Sequence, residues 1–526
     1  MKKINVINIG GIDIFDKILQ AHDDVSFHFL SWNDVDKALI DGEGKLFFQK
    51  NIDKFDVFPD YILLSQLNYN VNLSKKVIDT LLNNSRTQYS ILYDENSTND
   101  ISLLQKLQNN DAISIDLKTP EIFLDYFSKF FFGGQEGSKL SIGNTVNITS
   151  KTNKMAVNGN TSVDFEGEFG NEFNQIYAWR YNYVFQENKV VEIWLEYETQ
   201  NTAEVMLYMT RISNNGEDLI QIIRLSGEQL REPYILDDFN PGEYLFCSVF
   251  AKGNGRIKIG QLHVRRSRAS LGTFFIGGKR IVSQNRQEVM TYFNPGDRKP
   301  PLNVYFSGYR SAEGFEGNFM MQDMGAPYLL ITDPRIEGGS FYMGEQNFEL
   351  SIVQTIKDTL QHLNFENNQL ILSGLSMGTY GAFYYAADLN PHAVIVGKPL
   401  VNLGNVAYNE HGIRPNGFPT SLDVLHNITD GNTVTHKIQL NKRFWEKFIK
   451  GDYSHTTFRV AFMKNDDYDP TAFYDIRSVL NNKDVSLLSK GFVGRHNDNS
   501  YAINRWFIKQ YQNILQYDFG RNGNNT

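Results

Sequence analysis

The chain has 526 residues, of which 41 % are hydrophobic and 21 % charged, and its formal net charge is -9 at pH 7. This composition excludes a disordered or fibrous protein, and the length predicts three or four domains at about 100–200 residues each. The acidic balance argues against a nucleic-acid partner. The single cysteine, Cys247, excludes an intrachain disulfide, and its apolar neighbours predict a buried, inert thiol.

The N-terminal segment predicts a buried strand. Lys2 and Lys3 precede an apolar stretch, but Asn5, Asn8 and Asp13 interrupt it, whereas a signal peptide needs an unbroken apolar run. No apolar run in the chain approaches the length of about 18 residues that a membrane-spanning helix needs. We therefore expect a cytoplasmic protein.

Residues 1–135 are predicted to form an α/β domain. Short apolar runs predict strands at 4–9, 25–30, 61–64, 90–93 and 112–115. Apolar residues recur at helical spacing between them, as in 73–82, and this alternation favours a mostly parallel sheet covered on both faces. Gly10 and Gly11 alone are weak evidence for a phosphate site, so we expect a scaffold or partner-binding domain.

Residues 138–268 are predicted to form a β-sandwich. Helical periodicity disappears after 133–137, and turn signals then follow at 158–160, 214–216, 241–242 and 253–255. Alternation places a set of aromatic side chains on one face of a single strand: Tyr177, Trp179, Tyr181, Tyr183 and Phe185. We expect this to be the inner face of the sandwich, with a platform for stacking on sugar rings as the alternative.

Residues 270–526 return to alternating strands and helices, which predicts another α/β domain. Strands are predicted at 288–293, 302–306, 328–332, 369–372, 393–396, 458–463 and 485–488. Spacing by three and four residues predicts a helix before the fourth of these strands, with its apolar face formed by Leu350, Val353, Ile356, Leu360 and Leu363.

This third region contains a G-x-S-x-G motif, Gly374-Leu375-Ser376-Met377-Gly378. The motif follows a predicted apolar strand and opens a segment rich in small residues, which is the strand–turn–helix arrangement of a nucleophile elbow. The glycines tolerate a strained backbone and let the helix approach the sheet, and the positive end of the helix stabilises negative charge beside the serine. The sequence therefore predicts an α/β-hydrolase domain with Ser376 as its nucleophile.

A serine hydroxyl needs a base that is oriented by a carboxylate, and in an α/β-hydrolase the chain order is Ser, then Asp or Glu, then His. His496 lies in a glycine-bearing loop after the last predicted strand, where this fold places its base. The alternative, His455, precedes a strand, which is the opposite end from a site built on carboxyl ends of strands. We predict that His496 is the base.

The acid should follow the strand predicted at 458–463, where three aspartates compete. Asp466 is the first carboxylate beyond the strand, and Asp469 is a candidate cap for the next helix. We predict Asp466 as the acid and keep Asp467 and Asp469 as alternatives. No histidine or paired carboxylate lies in ligand spacing near this acidic segment, so no metal is predicted.

An oxyanion hole needs two backbone N–H groups. One should come from Met377, directly after the serine, and the other from Gly308 or Tyr309, in the loop that follows the strand predicted at 302–306. Arg310 is a candidate substrate-binding residue that would hold an anionic donor or a product carboxylate, with a surface ion pair as the alternative.

Residues 400–451 form an insertion at the position where this fold carries its lid. The segment has several glycines and prolines, including Gly412, Pro415 and Gly417, and then an amphipathic stretch around Phe444 and Phe448. A lid would shape acceptor specificity and exclude water. The sequence leaves open whether the site hydrolyses an ester or transfers the acyl group to another alcohol.

Several segments together resemble one family: Tyr305-Phe306-Ser307-Gly308-Tyr309-Arg310, Glu313-Gly314-Phe315-Glu316, Leu375-Ser376-Met377-Gly378-Thr379-Tyr380-Gly381 and Asn465-Asp466-Asp467-Tyr468-Asp469. Over its whole length the chain resembles the accessory Sec system protein Asp-two family, from Gram-positive bacteria that export serine-rich-repeat glycoprotein adhesins. The resemblance implies an N-terminal α/β domain, a central β-sandwich and a C-terminal α/β-hydrolase domain.

The resemblance also implies a function and partners. The family acts in the cytosol or at the inner face of the cell membrane, with the sister proteins Asp-one and Asp-three and a SecA-like motor ATPase. It supports export of the adhesin and O-acetylates N-acetylglucosamine on it. The family's triad roles transfer onto Ser376, His496 and Asp466.

We therefore expect an acyltransferase that forms an acyl–Ser376 intermediate and passes the acyl group to a glycan hydroxyl. The alternatives are a non-catalytic scaffold of the export complex and a carbohydrate esterase. No tightly bound cofactor is expected. An acetyl donor is implied, but no coenzyme A signature is readable in the sequence.

Overall fold

A computed structural model describes residues 4–15, 25–35, 60–69, 71–82, 91–147, 152–186, 189–409, 418, 420–483 and 485–521. Within these residues the protein is a mixed α/β fold whose strands form three sheets. The chain divides into two compact units. The first contains Met1–Gly134, Ser270–Gly277 and Asn294–Lys299, and the second contains Gln135–Ala269, Gly278–Phe293 and Pro300–Thr526.

The N-terminal sheet is parallel, with its strands in the order β2-β1-β3-β4-β5. Its elements are β1 (Ile4–Gly10), β2 (Val25–Ser31), β3 (Tyr61–Leu64), α1 (Val71–Leu82), β4 (Ile91–Asp94), α2 (Ile101–Gln108), β5 (Ile113–Ile115) and α3 (Pro120–Phe130). The predicted strands of this region are confirmed to within one residue at each end, and Ser90 lies outside the described residues. Local hydrophobic patterning therefore sets this part of the fold.

The antiparallel sheet follows in the second unit. Its strands are β6 (Gly137–Leu140), β7 (Thr145–Asn147), β8 (Thr152–Asn158), β9 (Ser162–Trp179), β10 (Tyr183–Val184), β11 (Val191–Thr199), β12 (Glu204–Ile212), β13 (Leu219–Ser226), β14 (Tyr234–Leu236) and β15 (Tyr244–Arg266). The long strand β15 pairs with β6, β9, β10, β11 and β12. Cys247 lies on it, fully buried, and burial raises the pKa of its thiol.

The aromatic segment of this region differs from the single strand that alternation predicts. β9 ends at Trp179, a turn follows, and Tyr181 on that turn is 56 % exposed. Tyr177 and Trp179 are buried in the core of the sheet, and their rings meet edge to face at 5.2 Å. Because these two ring faces are covered by protein, they pack the core and form no sugar-stacking platform.

The C-terminal sheet has the strand order β16-β17-β19-β18-β20-β21-β22-β23 and is parallel from β19 to β23. Its strands are β16 (Lys279–Val282), β17 (Glu288–Asn294), β18 (Leu302–Phe306), β19 (Tyr328–Thr332), β20 (Leu370–Leu375), β21 (Ala393–Gly397), β22 (Thr457–Met463) and β23 (Ser486–Phe492). The predicted strands are confirmed, although β23 continues to Phe492 and β16 was not predicted. The division into domains at 1–135, 138–268 and 270–526 stays a prediction.

Among the described residues, seven helices lie between the strands of the C-terminal sheet, and an eighth follows the last strand: α4 (Asn318–Asp323), α5 (Gln346–Leu363), α6 (Met377–Leu389), α7 (Leu403–Tyr408), α8 (Ser421–Thr429), α9 (Val434–Lys450), α10 (Ala472–Asn481) and α11 (Ser500–Tyr517). The predicted helix before β20 is α5, and Val353, Ile356 and Leu360 on it are buried. Leu350 is half-exposed, because at about 100° per residue it lies at the edge of that face.

Candidate active site

Ser376 lies on the tight turn between β20 and α6, with φ 53° and ψ -119°. A non-glycine residue rarely adopts such a backbone conformation, so the surrounding structure must hold it there. Flanking glycines make the turn possible. A Cβ on Gly378 would lie 2.0 Å from the Phe306 carbonyl oxygen, and one on Gly374 would lie 2.3 Å from the Gly378 carbonyl carbon. The motif therefore lets α6 cross close to the sheet and presents the serine at the carboxyl end of β20.

Three side chains from the ends of different strands form a hydrogen-bonded series. Ser376 Oγ lies 2.8 Å from His496 Nε2, and His496 Nδ1 lies 2.9 Å from Asp466 Oδ2. Asp466 follows β22 and His496 follows β23, and both are buried. With Nδ1–H donated to the carboxylate, the Nε2 lone pair faces the serine hydroxyl, so the imidazole is oriented to accept that proton.

The three competing aspartates make different contacts. Asp466 Oδ1 accepts the backbone N–H groups of Tyr468 and Asp469, which fixes the carboxylate while Oδ2 contacts the imidazole. Asp467 Oδ1 accepts the backbone N–H of His496. Of these aspartates, Asp466 is the one whose carboxylate contacts a ring nitrogen of the histidine.

Asp469 has a structural role that differs from the predicted helix cap. Its Oδ2 accepts the backbone N–H groups of Val401 and Asn402, at 2.8 and 2.7 Å, and the residue that precedes α10 is Thr471. The cap prediction is wrong because the carboxylate reaches across to the segment after β21 instead. Burial raises the pKa of Asp469, against the hydrogen bonds from Asn402 and Val401.

An aromatic ring fixes the plane of the imidazole. The Tyr468 ring stacks on the His496 ring with centroids 4.4 Å apart and an interplanar angle of 3°, and Asn497 Nδ2 donates to the Tyr468 hydroxyl at 3.2 Å. The alternative base, His455, is exposed and precedes β22, away from this cluster.

Ser376 opens into a cavity of about 400 Å³. The lining combines apolar walls with a few polar groups, as ligand sites commonly do. Its residues are Gly308, Tyr309, Glu316, Phe341, Leu375, Ser376, Met377, Leu400, Val406, Phe418, Tyr468 and Asn497.

The predicted oxyanion donors all line this cavity. Met377 is the first residue of α6, where backbone N–H groups have no partner within the helix. Tyr309 packs its ring against Gly338, where an added Cβ would lie 1.8 Å from the ring. The Gly308 N–H donates to Glu316 Oε2 at 2.6 Å.

Arg310 is not among the residues that line the cavity. Its Nη1 donates to the Phe315 carbonyl oxygen at 2.7 Å, which ties the guanidinium to the backbone of its own loop. The structure therefore does not bring Arg310 together with Ser376.

The predicted lid segment contributes to the cavity through Leu400, Val406 on α7, and Phe418. Gly412, Pro415 and Gly417 lie outside the described residues. The amphipathic stretch lies on α9, where Phe444 and Phe448 are buried against α6. Helix α9 therefore packs against α6 and contributes no residue to the lining of the cavity. Of the described part of the insertion, only Leu400, Val406 and Phe418 line it.

Sequence reasoning did not single out three polar residues of the cavity: Glu316, Tyr468 and Asn497. Each lies within a few residues of a predicted site residue, and two of them belong to the segments quoted for the family resemblance. The sequence did offer one signal for them: each is a polar residue in a loop at the carboxyl end of a predicted parallel strand, where ligands bind in open α/β sheets.

A second cluster of charged residues is buried away from the cavity. His263 on β15 contacts Glu313 through Nδ1 and Glu196 through Nε2, and Arg265 contacts Glu313 and Glu288. Burial alone would lower the pKa of His263, and Arg265 acts in the same direction, but Glu313 and Glu196 outweigh them and the pKa is raised. Glu313 belongs to the loop that follows β18, so this cluster anchors the loop that carries Gly308 and Glu316.

Two further observations concern the described part of the chain. It contains no group of three or more His, Cys, Asp or Glu side chains placed to hold a metal ion. It also contains no helix with the length and hydropathy needed to cross a bilayer.

Fold and geometry together define a class: a mixed α/β protein with a serine–histidine–aspartate series at the carboxyl ends of parallel strands. The chain belongs to the accessory Sec system GspB-transporter family, whose pattern matches residues 4–521. The family resemblance found in the sequence is therefore confirmed.

Two relatives are similar over most of their length. The chain is 45 % identical over 393 residues to the accessory Sec system protein Asp-two of Staphylococcus aureus, covering 74 % of this chain and 75 % of that protein. It is 38 % identical over 527 residues to the protein of the same name from Streptococcus gordonii, covering 99 % of each. A chain of the Glycosylation Associate Protein (Gap123) complex from Streptococcus agalactiae has a similar structure, with a TM-score of 0.86 and 35 % identity over 99 % of this chain and 100 % of that chain.

Proposed function

We propose that this chain is a serine-dependent acetyltransferase of an accessory Sec export system, and that it O-acetylates N-acetylglucosamine on a serine-rich-repeat glycoprotein adhesin. The observation that carries the catalytic part is the series from Ser376 through His496 to Asp466 at the wall of a cavity. Family membership supports the export setting. In this proposal the three side chains act as nucleophile, base and acid of a catalytic triad within an α/β-hydrolase domain.

In the first half-reaction, Ser376 Oγ attacks the acetyl carbonyl of an activated ester or thioester donor while His496 Nε2 takes the hydroxyl proton. Asp466 keeps the imidazole oriented and stabilises the imidazolium that forms. The oxyanion is stabilised by the Met377 N–H and by a second N–H from Gly308 or Tyr309. The intermediate collapses when the donor's leaving group departs with the proton from His496, which leaves acetyl–Ser376.

In the second half-reaction, a sugar hydroxyl gives its proton to His496 as its oxygen attacks the acetyl carbonyl of acetyl–Ser376. The serine oxygen leaves and takes that proton back, so the enzyme is regenerated and the sugar carries an acetate ester. Water in place of the sugar would release acetate instead. Val406 and Phe418 line the cavity with apolar side chains, and in this proposal they favour transfer by limiting the access of water to the intermediate.

We also propose that the chain works in the cytoplasm, at the inner face of the membrane, with the sister proteins Asp-one and Asp-three and a SecA-like motor ATPase. The location, the identity of the sister proteins and the motor rest on the family resemblance found in the sequence. Likeness to a chain of the solved Streptococcus agalactiae complex supports work within a complex. The same observation favours a second candidate function, that of a scaffold whose surfaces assemble the export complex. The two functions use different parts of the molecule and do not exclude each other.

Mass spectrometry of the adhesin's glycans tests the proposed activity. Cells would carry the natural protein, Ser376→Ala, or the control Ser489→Ala, which changes an exposed serine on β23. We expect acetylated N-acetylglucosamine with the natural protein and the control, and its loss with Ser376→Ala. Full acetylation with a folded Ser376→Ala protein would contradict the proposal and leave the scaffold function.

A further inference from the structure

Glu316 lines the same cavity as Ser376, and its carboxylate accepts one of the backbone N–H groups that are candidate oxyanion donors in the proposed reaction. Its Oε2 accepts the Gly308 N–H at 2.6 Å, a short hydrogen bond of the kind that charged acceptors form. Gly308, Glu316, Ser376 and Met377 all line the same cavity. The side chain thus occupies one of the backbone donors that the loop after β18 offers to an oxyanion.

An amide N–H carries one proton, so Gly308 cannot serve Glu316 and an oxyanion fully at the same time. Like charges a few ångströms apart also repel strongly in a partly buried site, where screening by water is weak. Removal of such a repulsion is expected to change a reaction rate by about tenfold or more. The contact therefore opposes the step that the rest of the site is arranged to perform.

The backbone around Glu316 is held in place, whereas its carboxylate accepts one backbone hydrogen bond, that from the Gly308 N–H. The Glu316 N–H donates to Ser307 Oγ at 3.2 Å, the Phe315 N–H donates to Gln135 Oε1 at 2.6 Å, and the Gly314 carbonyl oxygen accepts from Thr332 Oγ1 at 2.8 Å. Release of the Gly308 N–H from Glu316 therefore requires only rotation of the Glu316 side chain, and the loop does not need to move.

We propose that Glu316 is a gate on the oxyanion site. In the resting protein its carboxylate holds the Gly308 N–H, and the carbonyl oxygen of the acyl donor displaces it as the donor enters the cavity. The gate makes acylation of Ser376 slow until a substrate contributes enough binding energy to move the side chain. This inference rests on the proposed function, because it concerns the same serine.

Acylation by p-nitrophenyl acetate, measured as the burst of p-nitrophenol, tests the gate. The full chain would be compared with Glu316→Gln, which removes the charge and keeps the shape, and with Glu316→Ala, which removes the group. Glu337→Gln is the matched control. Glu337 is an exposed acid outside the cavity lining, and its charge adds to the effect of burial in raising the pKa of Tyr309. We expect the burst rate to rise at least tenfold in both Glu316 variants and to stay unchanged in the control.

Equal or slower bursts in folded Glu316 variants, with acetyl–Ser376 detected in all proteins, would overturn the gate and leave the proposed function standing. No burst and no acetyl–Ser376 in any protein would overturn both. A second measurement applies if the Glu316 variants do not fold: a crystal structure of the natural protein with a phosphonate on Ser376. The gate predicts that Glu316 no longer contacts the Gly308 N–H there, and a retained contact would overturn it.

Discussion

Two histidines of the second unit each contact a carboxylate through Nδ1, yet they sit in opposite settings. His496 lies at a cavity, with Asp466 on Nδ1 and the hydroxyl of Ser376 on Nε2. His263 lies in the interior, with carboxylates on both nitrogens, Glu313 on Nδ1 and Glu196 on Nε2. His496 therefore keeps Nε2 for a proton that moves to and from Ser376, whereas His263 uses both ring nitrogens to neutralise buried carboxylates.

The comparison shows that a histidine–carboxylate contact alone does not define a catalytic base. What matters is the group on the other nitrogen and whether a substrate can reach it. We therefore expect His496 to determine activity and His263 to determine stability.

The largest expected effect is on activity at His496. His496→Ala should lower the rate of acyl transfer by about 10⁴-fold or more, because the serine loses its base. The free energy of unfolding, measured in urea, should change far less than the activity, and pull-down of the sister proteins should survive. A folded His496→Ala protein with near-normal transfer would contradict the assignment of the base.

The next effect concerns the acid. Asp466→Asn should lower transfer by about 10³- to 10⁴-fold, because an amide on Nδ1 favours the wrong imidazole tautomer. Asp467→Asn is the matched control and keeps an oxygen for the His496 N–H, so we expect a loss of less than about tenfold. Steady-state kinetics would measure the rate of acyl transfer by both variants. A larger loss in Asp467→Asn than in Asp466→Asn would contradict Asp466 as the acid.

His263 should show the opposite pattern. His263→Ala removes the positive partner of Glu313 and Glu196, and breaking a buried ion pair in this way costs about 3–5 kcal/mol in the free energy of unfolding. His392→Ala is the control, because its pair with Asp518 is partly exposed and should contribute about 0–1 kcal/mol. Urea denaturation measures both, and an equal loss in the two variants would refute the distinction.

The smallest effect is a pH dependence of stability. The pKa of His263 is raised in the folded protein, so its contribution is complete below the unfolded value of about 6.5 and is lost as pH rises through the folded pKa. The difference in unfolding free energy between the natural protein and His263→Asn should therefore shrink as the pH increases above about 6.5. A difference that grows with pH would mean that the histidine is neutral in the folded protein.

The sequence predicted the parts of the molecule that depend on local pattern. The strands of the N-terminal sheet, strands β17 to β23 of the C-terminal sheet, the turn at Ser376 and the positions of His496 and Asp466 follow from apolar runs and from chain order after each strand. The prediction of a single aromatic strand from Tyr177 to Phe185 was wrong, because alternation does not reveal that the strand ends at Trp179.

Side-chain contacts that belong to no recognised motif were beyond sequence reasoning. His263 lies 50 residues from Glu313 and 67 from Glu196, and no local pattern links the three. Glu316 is only eight residues from Gly308, but the loop must fold back before its carboxylate reaches that N–H. Side-chain pairing of this kind is set by tertiary packing, so it requires the structure.

The most direct test of Ser376 as the nucleophile is labelling with a fluorophosphonate probe, followed by mass spectrometry of the peptides. We expect the probe to label Ser376 in the natural protein and in His263→Asn, and we expect labelling to be lost in Ser376→Ala and to fall steeply in His496→Ala. Labelling of a different serine, with Ser376 unmodified in the folded natural protein, would contradict this assignment.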